Sequence, residues 1–172
     1  RPSEERMAFI YDSRKLVFSG LSGELVLPPL SVTVADDKGE RTRIYQPVQQ
    51  LARPPQRVGF QAGWFRFSLL TVHIVYGESA PDTPARIAEI RALARFLAEH
   101  SESGDVWSRN MILLGDFNIV SPDNQTFREF IDAGFTVPYP LQALPSSIDK
   151  TGRHYDQIAL KSTPEMAPTE DE

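Results

Sequence analysis

Between Phe65 and Tyr76 the chain runs extended, with Phe65, Phe67, Leu69, Thr71, His73 and Val75 on one side and Leu70, Val72, Ile74 and Tyr76 on the other. Both sides are largely apolar, so the run predicts a central strand covered on both faces. A chain containing such a strand must supply layers to cover it. Arg57 to Gln61, joined to the run through Ala62 and Gly63, predicts the partner strand of a hairpin. Met7 to Tyr11 and Lys15 to Ser19 predict a second hairpin about Asp12, Ser13 and Arg14. Gly20 to Arg43 reads as a loop with one short strand near Ser31 to Val34, because Pro28, Pro29 and Gly39 interrupt it and Asp36, Asp37 and Lys38 make a polar turn.

Two segments carry helical periodicity. Thr83 followed by Pro84 marks a helix start, since proline at the first helical position gives up no needed amide and the threonine hydroxyl can cap. Ile87, Ile90, Ala94 and Leu97, supported by Leu93 and Phe96, then recur at helical spacing until Gly104, with His100 on the exposed end. A shorter helix is expected from Asp123 to Ala133, with Phe127, Phe130 and Ile131 inward and Gly134 as its stop. No internal repeat occurs, and the alternation of short strands with two helices predicts an α+β protein of stacked layers.

Composition narrows the function. The 172 residues, 41% of them hydrophobic, support one core. The longest apolar runs fall far short of the ~20 residues a membrane-crossing helix needs, and the opening residues Arg1 to Arg6 show no targeting segment. Eighteen Lys and Arg against 23 Asp and Glu give a net charge of -5, so the basic balance of a dedicated duplex binder is absent. Glu165, Glu170, Asp171 and Glu172 account for most of that charge, and the body is close to neutral. With no cysteine, disulfide scaffolds, thiolate zinc sites and thiol catalysis are excluded.

Met111 to Leu114 is an uninterrupted apolar run that ends abruptly in Gly115, Asp116, Phe117 and Asn118. A carboxylate and a carboxamide thus emerge where a buried strand leaves the core. In an extended backbone Asp116 and Asn118 project to one side and Phe117 to the other. Phosphoester hydrolysis needs such a pair: a carboxylate to orient water or hold a cation, and a neutral donor for a phosphoryl oxygen. A turn in which Asp116 only caps a loop accounts for the tetrapeptide equally well.

The tetrapeptide GDFN after a buried strand also resembles the endonuclease/exonuclease/phosphatase superfamily. Three more segments share the resemblance, in the family's order: Glu5 to Phe18, similar to the glutamate-led hairpin of the type I deoxyribonuclease-like branch; Val72 to Gly77, similar to the strand ending in a catalytic histidine; and His154 to Leu160, similar to the tyrosine-aspartate strand. The resemblance implies an α/β/β/α four-layer sandwich over residues 1–161, followed by an acidic, proline-containing tail at 162–172. It makes His73 a general acid or base oriented by Glu5. Asp116 would orient the water or contact metal, Asn118 would bind the scissile phosphate, and Asp156, the last of the implied catalytic residues, resembles the aspartate that in the family orients a second histidine. Arg53 resembles an arginine on a substrate-facing loop. The implied ion is Mg2+, with Mn2+ or Ca2+ as alternatives, and the implied substrate is a phosphodiester, nucleic acid among the candidates, with no membrane partner.

The departures from the pattern are as specific as the matches. The family's principal metal-binding glutamate lies upstream of the hairpin, and its closing Ser-Asp-His motif lies well beyond the tyrosine-aspartate strand; neither has a counterpart in this sequence. His154, two residues before Asp156, does not match that motif. The expectation is therefore a partial sandwich from a metal-dependent phosphoester hydrolase. The alternative is a degenerate domain that binds nucleic acid or a protein partner.

Overall fold

The computed structural model describes residues 7–103, 108–146 and 151–162. Seven strands and three helices follow in the order β1 (Val17–Glu24), β2 (Leu30–Ala35), β3 (Arg41–Gln46), β4 (Gln56–Ala62), β5 (Phe65–His73), α1 (Pro84–Glu102), β6 (Met111–Asp116), α2 (Gln125–Asp132), α3 (Tyr139–Gln142) and β7 (Asp156–Lys161). Five of the strands make one sheet in the order β1-β4-β5-β6-β7, and β2 pairs only with β3. The run that begins at Phe65 is thus the central strand. It pairs antiparallel with β4 and parallel with β6, and β6 pairs antiparallel with β7.

Alternation decides which side chains meet the helices. Leu70, Val72, Ile74, Met111, Leu113 and Ala159 face Ile90, Leu93, Ala94 and Leu97 of α1 and Phe127 and Phe130 of α2 in one core. Each large side chain so buried contributes about 1.5–3 kcal/mol. The other face holds a smaller cluster of Val58, Phe60 and Phe67, with Leu69 and Ile112 only partly buried beside it. The chain therefore builds an α+β structure with one sheet and one helical layer of the expected sandwich. Both faces of the central strand are apolar, but among the described residues only one carries a helical layer.

Thr83 caps α1, its hydroxyl accepting from the Arg86 amide at 3.4 Å. The start of α2 is capped from a distance: the Asp82 carboxylate accepts the amides of Gln125 and Thr126, each at 3.0 Å. Asp82 is held below the usual carboxylate range. Burial works against this, but the two amides and the Arg86 cation outweigh it.

Several expectations need correction. Met7 to Tyr11 does not pair as a strand; its rings Phe9 and Tyr11 pack on Phe60 at 6.4 and 5.1 Å, because β4 is already flanked by β1 and β5 and ring burial is the contact left. The expected loop over Gly20 to Arg43 is mostly strand. β1 continues to Glu24, and β2 and β3 close about Asp36, whose carboxylate accepts the Lys38 and Glu40 amides. Ile131, expected inward, is 43% exposed, and it is Phe135, just past Gly134, that packs edge to face on Phe130. His100 is half-buried, with Arg57 Nη1 3.0 Å from its Nε2. Gly104 and most of the tail, 163–172, lie outside the described residues.

Candidate functional site

Strand pairing, more than sequence proximity, assembles the site. In the parallel β5–β6 ladder His73 stands opposite Asp116, and in the antiparallel β6–β7 ladder Asp116 stands opposite Asp156. An imidazole and two carboxylates from three strands thus form one row across the sheet, at the carboxyl ends of the parallel pair where open α/β sheets place ligands. The row lies on the face that carries no helix among the described residues, at the edge of an apolar surface formed by Leu69, Ile112, Leu114 and Ile158.

His73 Nε2 is 3.7 Å from Asp116 Oδ2. That is too long for a direct hydrogen bond and short enough for one water to contact both groups. Their side chains are 25% and 36% exposed, so both are accessible from solvent. The other Asp116 oxygen, Oδ1, accepts the Asn118 backbone amide at 2.9 Å, which fixes the carboxylate's rotation. Asp156 is exposed, and its amide donates to Ser146 Oγ at 2.7 Å.

Gly115 explains how Asp116 reaches this position. Its φ is +140°, and a Cβ there would lie 2.1 Å from the Val72 carbonyl oxygen. Only glycine lets the end of β6 approach β5 so closely. Asn118 then turns the chain with φ +52°, a conformation asparagine tolerates better than most residues. Asn118 is 5% exposed, and its Nδ2 donates to the Ile74 carbonyl at 2.8 Å. One amide hydrogen of Asn118 is therefore spent on joining the strand ends, and the side chain is buried there and does not project beside Asp116 as an extended backbone would place it, because the positive φ turns the chain.

The remaining expected residues are placed differently. Glu5 lies outside the described residues. Arg53 is half-buried on the segment before β4. That segment is tied to the end of β5 by Glu89, whose carboxylate accepts the amides of Ala52 at 3.0 Å and Val75 at 3.2 Å. His154 does not project freely beside Asp156, as its Nδ1 is buried without a partner.

Two features went unread in the sequence. Tyr76 and Tyr155 meet edge to face at 6.3 Å beside the row. Arg86, fully buried, donates to the carbonyls of Tyr76, Glu78, Ala80 and Pro81, and so clamps the loop leaving β5. Burial pulls its pKa below the ordinary arginine value, while Tyr76, Tyr155, Asp82 and Asp116 draw it back. The signal was its place on the apolar stripe of α1, four residues before Ile90.

Among the described residues no group of three or more His, Asp or Glu side chains is arranged to hold a metal ion. The row supplies two carboxylates, so a hard cation such as Mg2+ would need further oxygen donors. No helix among the described residues is long and apolar enough to cross a membrane.

No family profile and no curated protein matches the chain. Solved structures do. A mannosyl-6-phosphatase of Bacteroides thetaiotaomicron superposes with a TM-score of 0.54 at 16% identity over 88% of this chain and 55% of its own. An endonuclease/exonuclease/phosphatase family protein of the same organism also gives 0.54 at 16% identity, over 88% of this chain and 53% of its own. TDP2 of D. rerio, complexed with a single-strand DNA product, gives 0.51 at 15% identity over 91% and 57%. The chain spans little more than half the length of these structures.

Proposed function

The chain has the endonuclease/exonuclease/phosphatase fold, and from that premise we propose that it carries the catalytic row of a phosphoester hydrolase acting by a water nucleophile. The observation behind this reading is the His73–Asp116–Asp156 row, with 3.7 Å between His73 Nε2 and Asp116 Oδ2. A water held between imidazole and carboxylate is oriented by Asp116, and His73 takes its proton as oxygen attacks phosphorus. The bond to the leaving oxygen breaks as charge grows on the nonbridging oxygens. Asp156 adds a carboxylate at the rim. Mg2+ belongs to the proposal as an ion that Asp116 would help hold, and no step above depends on it.

Within that reading a phosphodiester, including nucleic acid, is the proposed substrate, and the similarity to the type I deoxyribonuclease branch rests on sequence motifs alone. The structural neighbours include a phosphatase and a protein holding a DNA product. The test is hydrolysis of bis(p-nitrophenyl) phosphate against p-nitrophenyl phosphate, with and without Mg2+, by the chain and its His73→Ala and Asp116→Asn variants. Loss of about a hundredfold or more in kcat at unchanged melting temperature is expected for each. Undiminished turnover in a folded variant would overturn the assignment. Plasmid DNA, an abasic duplex and sugar phosphates, assayed side by side, then rank the substrates.

A further inference from the structure

We propose that the outer edge of β2 is an interaction surface whose partner is β2 of a second copy of this chain, joined antiparallel about a two-fold axis at Thr33. β2 and β3 pair only with each other, and every residue of the two strands is exposed except Val32, which is half-buried. A two-stranded ribbon without further strands is marginal in water. This ribbon also keeps two edges, each a row of backbone amides and carbonyls that no strand pairs among the described residues.

Register identifies the groups on each edge. The Asp36 amide donates to the Glu40 carbonyl at 2.9 Å, one step beyond the pair Ala35–Arg41. Bonded and unbonded pairs alternate along an antiparallel ladder, so Val34–Thr42, Val32–Ile44 and Leu30–Gln46 bond within the hairpin. Ser31, Thr33 and Ala35 therefore turn their amides and carbonyls outward along β2, and Arg41, Arg43 and Tyr45 do so along β3.

The two edges differ in what they admit. β2 contains no charged residue, proline or glycine, so it lacks the devices that keep natural edges from pairing. Laid against itself about Thr33, it sets Thr33 opposite the partner's Thr33 and Ser31 opposite the partner's Ala35, each pair exchanging both backbone hydrogen bonds. Val32 then meets the partner's Val34 as a close, unbonded pair. Leu30, Val32, Val34 and Ile44 share one face of the ribbon, and the pairing doubles them into the apolar face of a four-stranded sheet. β3 does not suit itself in this way, because Arg43 would stand directly opposite the partner's Arg43, and like charges so placed are destabilising. Pairing β2 to β3 would leave an edge unfilled on each copy and grow without closing, whereas β2 to β2 closes at two copies. The outer edges of that dimer are then the strands carrying Arg41 and Arg43, which discourage further strands.

The test is sedimentation velocity of the whole chain from about 5 to about 500 µM, a span suited to the weak association of a small interface. A monomer–dimer equilibrium is expected. Thr33→Pro removes the outward amide at the axis and takes none from the hairpin, and should weaken dimerisation about tenfold or more. Thr33→Lys brings two cations together at the axis and should also weaken it, most at low salt. Ile158→Asp, on the open face of the central sheet, should change it by less than about twofold. The chain has no cysteine, so Thr33→Cys adds a unique thiol. Bonded pairs stand about 5.5 Å apart at Cα, within disulfide reach, so oxidation should link Thr33→Cys at least about tenfold faster than Arg43→Cys on the other edge. A chain monomeric at every concentration overturns the proposal. So does a dimer that survives both Thr33→Pro and Thr33→Lys, one that is lost in Ile158→Asp, or equal cross-linking of the two cysteine variants. Circular dichroism and melting temperature check the variants' folding, and if proline is not tolerated, the exposed Thr33→Lys carries the same decision.

Discussion

The same strands of the central sheet present two surfaces of similar composition and different fate. Toward the helices, Leu70, Val72, Leu113 and Ala159 are 0–2% exposed. Their immediate neighbours in sequence, Leu69, Ile112 and Leu114, point the other way and stay partly accessible, and Ile158 is 41% exposed. Hydrophobicity does not separate the two sets; the presence of a packed layer does. The covered face fixes the strands, and the open face uses that rigidity to set His73, Asp116 and Asp156 in line. A row of side chains on a strand needs no local rigidity of its own when the alternate residues are locked.

The comparison breaks most severely at Gly115. Gly115→Ala places a Cβ 2.1 Å from the Val72 carbonyl oxygen at a φ of +140°, so both faces lose the β5–β6 register. A loss of about 4 kcal/mol or more is expected in urea denaturation. Next comes a matched pair. Leu113→Ala on the covered face should cost about 2–5 kcal/mol, and Ile158→Ala on the open face about 1 kcal/mol or less. Equal costs would mean the open face is covered in solution. Smaller than the covered-face loss and similar to the open-face one is Asp82→Ala, which removes the acceptor for the Gln125 and Thr126 amides; about 1 kcal/mol should be lost.

The sequence revealed these faces unevenly. Two-residue alternation in Phe65 to Tyr76 and the stripe of α1 were legible because burial imposes them on the residue types. Arg41 to Gln46 was not, since β3 is exposed throughout and Ile44 is its only aliphatic residue, so no core wrote a pattern into it. His73 and Asp116 could be placed at strand ends, but their alignment depends on a register, Leu70 opposite Leu113, that is a tertiary choice. Arg86 was unread because a charge on an apolar stripe looks like an interruption. Its guanidinium instead satisfies the carbonyls of a loop that has no strand partner.

The covered face has one polar seam, and it gives the smallest and most diagnostic effect. Arg57 donates through Nε and Nη2 to Ser68 Oγ at 3.2 and 3.1 Å, and its Nη1 lies 3.0 Å from His100 Nε2. Arginine can only donate, so Nε2 must be the unprotonated nitrogen of a neutral ring, which also stacks on Phe96 at 5.6 Å. Burial, and then the Arg57 cation, pull the His100 pKa below 6.5. The folded chain thus binds this proton more weakly than the unfolded chain does, and stability rises with pH. The contribution is complete above about pH 6.5 and is lost as pH falls through the lower folded value. Melting temperatures between pH 5 and pH 8 should therefore show a slope that His100→Phe reduces while keeping the ring stack. An undiminished slope in that variant would place the proton-sensitive group elsewhere, and the seam would then be only a packing feature of the covered face.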